Sequence, residues 1–489
     1  MLSLKALIRR VPSAAWMCAL IALLNGIAWS IITPPFEGRD EPSHFAYVQQ
    51  LAETGTLPRV VEGEHKEYSP EETLVLEGLQ EPAIRLIPQR QSLSSVAQQE
   101  TLETDVNAGL SREGSGEANV ATSEPPLYYA LETVPYTLGA SNTLTQLELM
   151  RLFDAFLGAL TVLLTFFFIQ EVLPGARWAG VLGSLCVSVQ PLFGFMSGTL
   201  NPETMLYTVS AALLLCLGRA FRRGLTRRSA IVLGALIAVG FMTKLNFVGV
   251  ALGVFAGLIL LGVREWRSRG PGTLALLAIA TGVGVAPVAL YVLVNLVSGH
   301  RLFGEVSGLA AEFANSSIFH AVSYVWEFYL PRLPGMMHYF RGVSTYRDLW
   351  FDRFVGLYGW LDTQFPTWVY NVALIPASAI ALLCARALIV HRRAIRVRWL
   401  EFAAYAAVAF GVMVMVGFTS YTSDALQHRE AYADPRYLVP LLPLLGAVVV
   451  LAVRGAGKRW APVVGAAIVV VFLAHDIFSQ MQEIARYYG

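Results

Sequence analysis

Apolar residues run in long blocks along this chain, and the polar residues gather between them. Blocks of about 18 or more residues, nearly free of charge, are long enough to cross a hydrocarbon core of ~30 Å. Backbone N–H and C=O groups find no partners in lipid, so each block is expected to be a helix. Basic residues mark the cytoplasmic ends of spans. They cluster at Lys5, Arg9 and Arg10, at Arg177, at Arg222, Arg223, Arg227 and Arg228, and at Arg264, Arg267 and Arg269. Further clusters are Arg392, Arg393, Arg396 and Arg398, then Arg454, Lys458 and Arg459. Threading the blocks between them predicts spans near 12–33, 149–171, 176–195, 204–221, 229–245, 247–263, 272–297, 368–390, 399–419, 437–453 and 460–479. The expectation is an all-α polytopic membrane protein with about eleven transmembrane helices in one domain, 1–489. Its N-terminus lies in the cytoplasm and its C-terminus outside. The tightest fit is 229–263, where two spans share about 35 residues around Lys244 and Asn246. A single kinked, re-entrant element is the alternative there, and the Arg-rich loops that follow favour the hairpin.

The basic segment Met1–Arg10 and the apolar run Pro12–Ile32 resemble a signal peptide in layout. The run is longer than a signal core and no small-x-small site follows, so a retained first helix is expected. Three segments fall outside the cytoplasm. The first, 34–148, carries 19 Asp and Glu against 6 Lys and Arg. Its middle, Gln91–Glu117, has little hydrophobic periodicity and is expected to be mobile. Its end, Glu124–Leu131, turns apolar and aromatic, as an interfacial helix does. The second, 298–367, holds Trp326, Trp350 and Trp360 and predicts further interfacial helices. The third is the short loop Ser420–Arg436.

Composition agrees with the pattern: 55% hydrophobic and 15% charged residues, where a soluble domain carries roughly a quarter charged. The net charge of +1 is segregated by side and gives no footprint for nucleic acid. Cys18, Cys186, Cys216 and Cys384 all lie in apolar runs, so they read as packing residues. The chain has no phosphate-binding glycine loop, dinucleotide fingerprint, His-Glu-x-x-His or nucleophile elbow. An activated substrate is therefore expected to arrive in the lipid.

The candidate chemistry begins right after the first block, at Glu37, Arg39, Asp40, Glu41 and His44. A hydrated acid pair capping a helix from Glu41 is the plain reading. The functional one is a carboxylate at the membrane boundary that deprotonates a hydroxyl. His44 lies one helical turn beyond Asp40, so the two could hold a proton or a metal between them. Glu203 follows Asn201-Pro202 at a helix start, either as a cap or as a second acid in the same cavity. Lys244 within short apolar segments must snorkel, pair or serve a function. Arg436 is either an interfacial anchor or a phosphate grip, with Arg429 and His428 as helpers.

Several stretches carry a resemblance. Pro35-Phe36 through Asp40-Glu41-Pro42-x-His44-Phe45, Gly356–Asp362 and Arg436–Pro443 resemble the DUF2142 family of bacterial membrane proteins. More broadly, an acid pair in the first external loop resembles the GT-C superfamily of membrane glycosyltransferases. Pro125–Tyr129 and Gly240–Lys244 resemble pieces of lipid-A aminoarabinose transferases and protein mannosyltransferases. The resemblance runs over about 30–445. It implies a polyprenyl-phosphate-linked sugar donor, a glycan, lipid or protein acceptor, and inversion at the anomeric carbon. It places the base at Asp40 with Glu41 beside it, and donor phosphate at Lys244 and Arg436. A divalent metal (Mg or Mn), if bound, would fall to Asp40, His44 and Glu203; the missing paired acids at Glu203 speak against it. The setting is a bacterial plasma membrane with the site on the external face.

Two other classes fit the composition. An O-antigen-type polymerase or ligase predicts its chief loop late in the chain. A lipid-linked glycan flippase predicts an internal repeat and midplane charges on broken helices.

Overall fold

Prolines, capping side chains and left-handed turns decide where the apolar blocks begin and end. The computed structural model describes residues 11–58, 67–81, 84, 96–106, 109–114, 120–140, 142–174, 176–297, 317–340, 347–426 and 434–488. Helix α1 (Ser13–Ile32) stops at Pro34-Pro35. α2 (Glu41–Thr54) closes at Gly55, whose φ of 67° suits a residue with no side chain. α3 (Pro70–Gly78) starts at Ser69, whose hydroxyl accepts from the Glu72 amide, and α4 (Val96–Val106) follows. α5 (Leu127–Leu138) buries Tyr128 and Tyr129 and turns Leu131, Val134 and Leu138 outward, as an interfacial helix would.

α6 (Thr143–Val172) starts six residues before its predicted span, because Asn142 caps it by accepting from the Thr145 amide. The single span expected at 176–195 is instead α7 (Arg177–Ser188) and α8 (Pro191–Ser197), bent by 67°. Pro191 cannot continue a helix ladder, and Gln190 caps the new start through the Phe193 amide. Next come α9 (Pro202–Arg223), α10 (Arg227–Thr243), α11 (Phe247–Arg269), α12 (Gly272–Val297) and α13 (Ile318–Tyr329). α10 and α11 are separate helices, broken at Lys244–Asn246.

The second loop holds an element the periodicity did not announce. After a short π turn (Arg347–Asp352) and α14 (Arg353–Gly356), β1 (Leu357–Tyr358) and β2 (Thr363–Gln364) pair antiparallel, Leu357 with Gln364 and Tyr358 with Thr363. Then follow α15 (Thr367–Val390), α16 (Arg392–Val397) and α17 (Trp399–Ser420), with a π turn at Tyr421–Leu426. A 3-10 helix (Pro435–Leu441) leads into α18 (Leu442–Gly455), and α19 (Ala461–Tyr488) ends the chain.

The protein is a polytopic helical membrane protein. Among the described residues, nine helices are long and apolar enough to cross a membrane, and the bent pair α7–α8 makes ten. The eleventh expected span is α10, whose 17 residues reach only about 25 Å. α12, α15 and α19 leave most of their apolar surface outward, which suits contact with lipid. α6 packs against α1 and α9, α10 against α12, and α11 against α17. Within the stretch expected to be mobile, 96–106 is helical, while 91–95, 107–108 and 115–117 lie outside the described residues. At the far end, the Tyr487 hydroxyl donates to Glu37 at 3.2 Å, so the close of α19 and the first loop share one end of the bundle.

Candidate functional site

The turn between α1 and α2 is tight, and sequence explains much of it. A side chain at Gly38 would collide with Thr199 and Glu41, so only glycine lets the loop lie this close. Asp40 takes the N-cap position of α2 with φ 59°, a left-handed conformation that Asp tolerates better than most residues. Its side chain makes no cap hydrogen bond. The carboxylate instead accepts from Arg436 Nη2 at 2.7 Å.

Glu41 goes elsewhere. Arg151 of α6 grips it through two parallel hydrogen bonds, Nε to Oε1 at 2.8 Å and Nη2 to Oε2 at 2.6 Å. The amides of Gly38 and Leu200 also donate to it. Arg151 spends its remaining donors on the carbonyls of Ser30, Thr33 and Pro34 at the end of α1. Both side chains are buried. Glu41 is thus a latch that ties the first loop to α6, and all its contacts are to the protein itself.

Glu203, Lys244 and Arg436 converge with Asp40. Asn201 caps α9, leaving the Glu203 carboxylate free to face Lys244 Nζ at 3.1 Å and Arg436 Nε at 3.6 Å. Lys244 ends α10 buried, with its ammonium also 3.3 Å from Glu124. Arg436 is buried at the start of the 3-10 helix, where Asp434 meets its Nε at 3.0 Å and Arg39 at 2.8 Å. The cluster therefore sets Asp40, Glu124, Glu203 and Asp434 against Arg39, Lys244 and Arg436. Arg436 Nη1 has no partner among the described residues. The cavity that Glu203 and Arg436 line together is about 10 Å³, room for roughly one water.

Electrostatics follow from this packing. Burial opposes charge on Asp40, but Arg436 and then Arg39 outweigh it and hold the carboxyl well below the usual carboxylate range. The Asp40 side chain keeps 22% of its surface exposed, the most open acid of the cluster. His44 is buried, and burial together with nearby Lys244 pushes it down to about 3, so the imidazole is neutral. Its Nδ1 meets the Tyr129 hydroxyl at 3.0 Å, not Asp40, and its Nε2 has no hydrogen-bond partner among the described residues.

Asp40, His44 and Glu203 do not fit a divalent metal in this arrangement. Among the described residues no three His, Cys, Asp or Glu side chains stand together to hold an ion. Asp40 and Glu203 each face a cation instead. Arg429 and His428 lie outside the described residues. Sequence reasoning missed Glu124, Arg151 and Asp434 as members of these networks. For Arg151 a signal existed, since Arg151 and Asp154 are charged residues inside an apolar run.

No curated protein sequence matches the chain. Among solved structures it is similar to ArnT from Cupriavidus metallidurans bound to undecaprenyl phosphate, at 14% identity and TM-score 0.47, covering 97% of this chain and 76% of that one. It is also similar to the Archaeoglobus fulgidus oligosaccharyltransferase in the apo form, at 11% identity and TM-score 0.46, over 97% of this chain. The chain spans about half the length of that archaeal protein, 56%. The family described as predicted membrane protein (DUF2142) matches residues 23–445, which take in Asp40, Glu203, Lys244 and Arg436. By that match the chain belongs to the DUF2142 family of membrane proteins.

Proposed function

We infer that this protein is a GT-C-like glycosyltransferase of the bacterial plasma membrane. It moves a sugar from a polyprenyl-phosphate-linked donor to a hydroxyl of a cell-envelope glycan, lipid or protein on the outer face. The observation that carries the reading is the Asp40–Arg436 pair, a half-open carboxylate and a buried guanidinium 2.7 Å apart at one end of a bundle of spans. The reaction needs one of each. The acceptor oxygen bonds the anomeric carbon as its proton passes to a carboxylate, while the bond from that carbon to the phosphate oxygen breaks. Negative charge then collects on the departing lipid phosphate, where a preorganised cation stabilises it. Attack opposite the leaving group inverts the anomeric centre.

At rest the two groups neutralise each other. An acid held as low as Asp40 is a weak base, since an effective base titrates near the working pH. Donor phosphate reaches Arg436 only when the packed cluster opens, and its binding draws the guanidinium off Asp40 and raises the basicity of the carboxylate. Lys244 stays between Glu124 and Glu203 and holds Glu203 beside Arg436. Close by, an apolar groove of about 960 Å³ is lined by Trp326, Tyr329, Trp350, Phe410, Phe418 and Leu438, the last two residues on from Arg436. Its chemistry suits an isoprenoid chain.

The test uses the full chain in lipid nanodiscs, with native mass spectrometry for polyprenyl-phosphate binding and a glycosylation assay for transfer. Asp40→Asn should keep binding and lose transfer by roughly 10²- to 10⁴-fold. Arg436→Ala should lose binding. If the wild type binds no polyprenyl phosphate or its sugar conjugate, the donor reading fails; if it binds the conjugate and transfers no sugar, the lipid-linked glycan transporter takes its place.

A further inference from the structure

A second groove lies far from the Asp40 cluster. It is about 1070 Å³, opens between α7, α18 and α19, and has apolar walls that include Trp178, Leu182, Leu185, Val469 and Val470. His391, Arg454 and Lys458 stand at its rim, and no acidic residue lines it among the described residues. Arg454 donates to the Leu173 carbonyl at 3.2 Å. None of the three rim residues pairs with a carboxylate among the described residues.

That lack is local. Other cations at the same end have acids: Arg223 with Glu171 at 2.6 Å, Arg398 with Glu401 at 2.6 Å, and Arg269 with Glu265 at 3.0 Å. The level of the groove is set by α6. Leu173, which Arg454 touches, follows Arg151 by 22 residues, roughly 33 Å along a helix axis. One hydrocarbon thickness therefore separates this rim from the Asp40 cluster. Exposed Trp178 and Trp460 mark the same level, as interfacial tryptophans do, and Arg459 sits over the Trp460 ring.

We propose that this groove is a binding site for one anionic membrane lipid of the leaflet at the basic end. Its phosphate sits among His391, Arg454 and Lys458, and an acyl chain lies along α7 and α19. Apolar walls take the chain, and the three basic groups replace the water and counter-ions of the phosphate. A free phosphate ion would use the rim alone and leave the apolar walls exposed.

The test is native mass spectrometry of the full chain in non-ionic detergent, titrated separately with phosphatidylglycerol and phosphatidylcholine. The wild type should retain one phosphatidylglycerol in preference to phosphatidylcholine, undisturbed by millimolar inorganic phosphate. Arg454→Gln with Lys458→Gln should weaken that binding on the order of ten- to thirty-fold, the effect of two basic groups at a headgroup. Ala466→Trp, which narrows the groove and leaves the charges intact, should weaken it as well. Asp40→Asn and Arg436→Ala should leave it unchanged, which separates this site from any donor site. Equal retention of the two lipids, displacement by phosphate, or a preference that survives Ala466→Trp overturns the proposal. Should the double variant fail to fold, the Ala466→Trp chain alone decides between retention and loss.

Discussion

Charged residues in this protein do two different jobs one position apart. Asp40 is half-open and faces a guanidinium with a spare donor. Glu41 is sealed against Arg151, which is itself anchored to three backbone carbonyls. Removing one member of a buried pair strands the other, at a cost of about 3–5 kcal/mol. Arg151→Met should therefore lower the melting temperature in detergent sharply, and Glu41→Gln in the same chain should recover part of the loss. Glu37 behaves differently again. Burial first, then Glu81 and Asp362, push its carboxyl up to about 8. The folded state thus holds this proton more tightly than the unfolded chain does. The stability it contributes is complete below about 4.5 and is lost as pH rises toward 8. Thermal melts at pH 5 and pH 8 should show that decline, and Glu37→Gln should make it shallower. His44 was legible as a helix neighbour of Asp40, but its partner, Tyr129, comes from α5 and no local pattern names it.

At the scale of elements, helix contacts in lipid depend on how closely backbones approach, since burying apolar surface gains little there. α11 meets α17 through Gly249 and Gly253, four residues apart on one face, against Val408 and Gly411. A side chain at Gly249 would sit 3.0 Å from the Gly411 carbonyl, and one at Gly253 would strike the Val408 backbone. Gly253→Leu should force the pair apart and cost about 1–3 kcal/mol or more. Size-exclusion chromatography of the purified variant should show a reduced monodisperse fraction. The bend between α7 and α8 was readable in Pro191, yet apolar length alone favoured one straight span. The β1–β2 hairpin was not readable, because two-residue strands carry no periodicity. Tertiary contacts hold it: the Tyr358 hydroxyl donates to Ser479 of α19.

For the whole molecule, topology is the property that everything else assumes. The first loop and the Arg454–Lys458 rim lie at opposite ends of α6. Thr56→Cys should react with a membrane-impermeant thiol reagent on intact cells, and Lys458→Cys only after the cells are opened. The native cysteines lie in helices, buried or half-buried, and make a quiet background. The opposite labelling pattern would invert the orientation and move the proposed transfer site to the cytoplasm. By itself the sequence determined the class of protein, the approximate spans and most of the charged residues at the site, because apolar length and charge placement are local properties that lipid enforces. Only the tertiary structure decided which charges meet. Asp40 and Arg436 lie 396 positions apart, and no helical spacing relates them. Which acid stays open and which is spent on a latch depends on how α6, α9, α10 and the 3-10 helix pack around one loop.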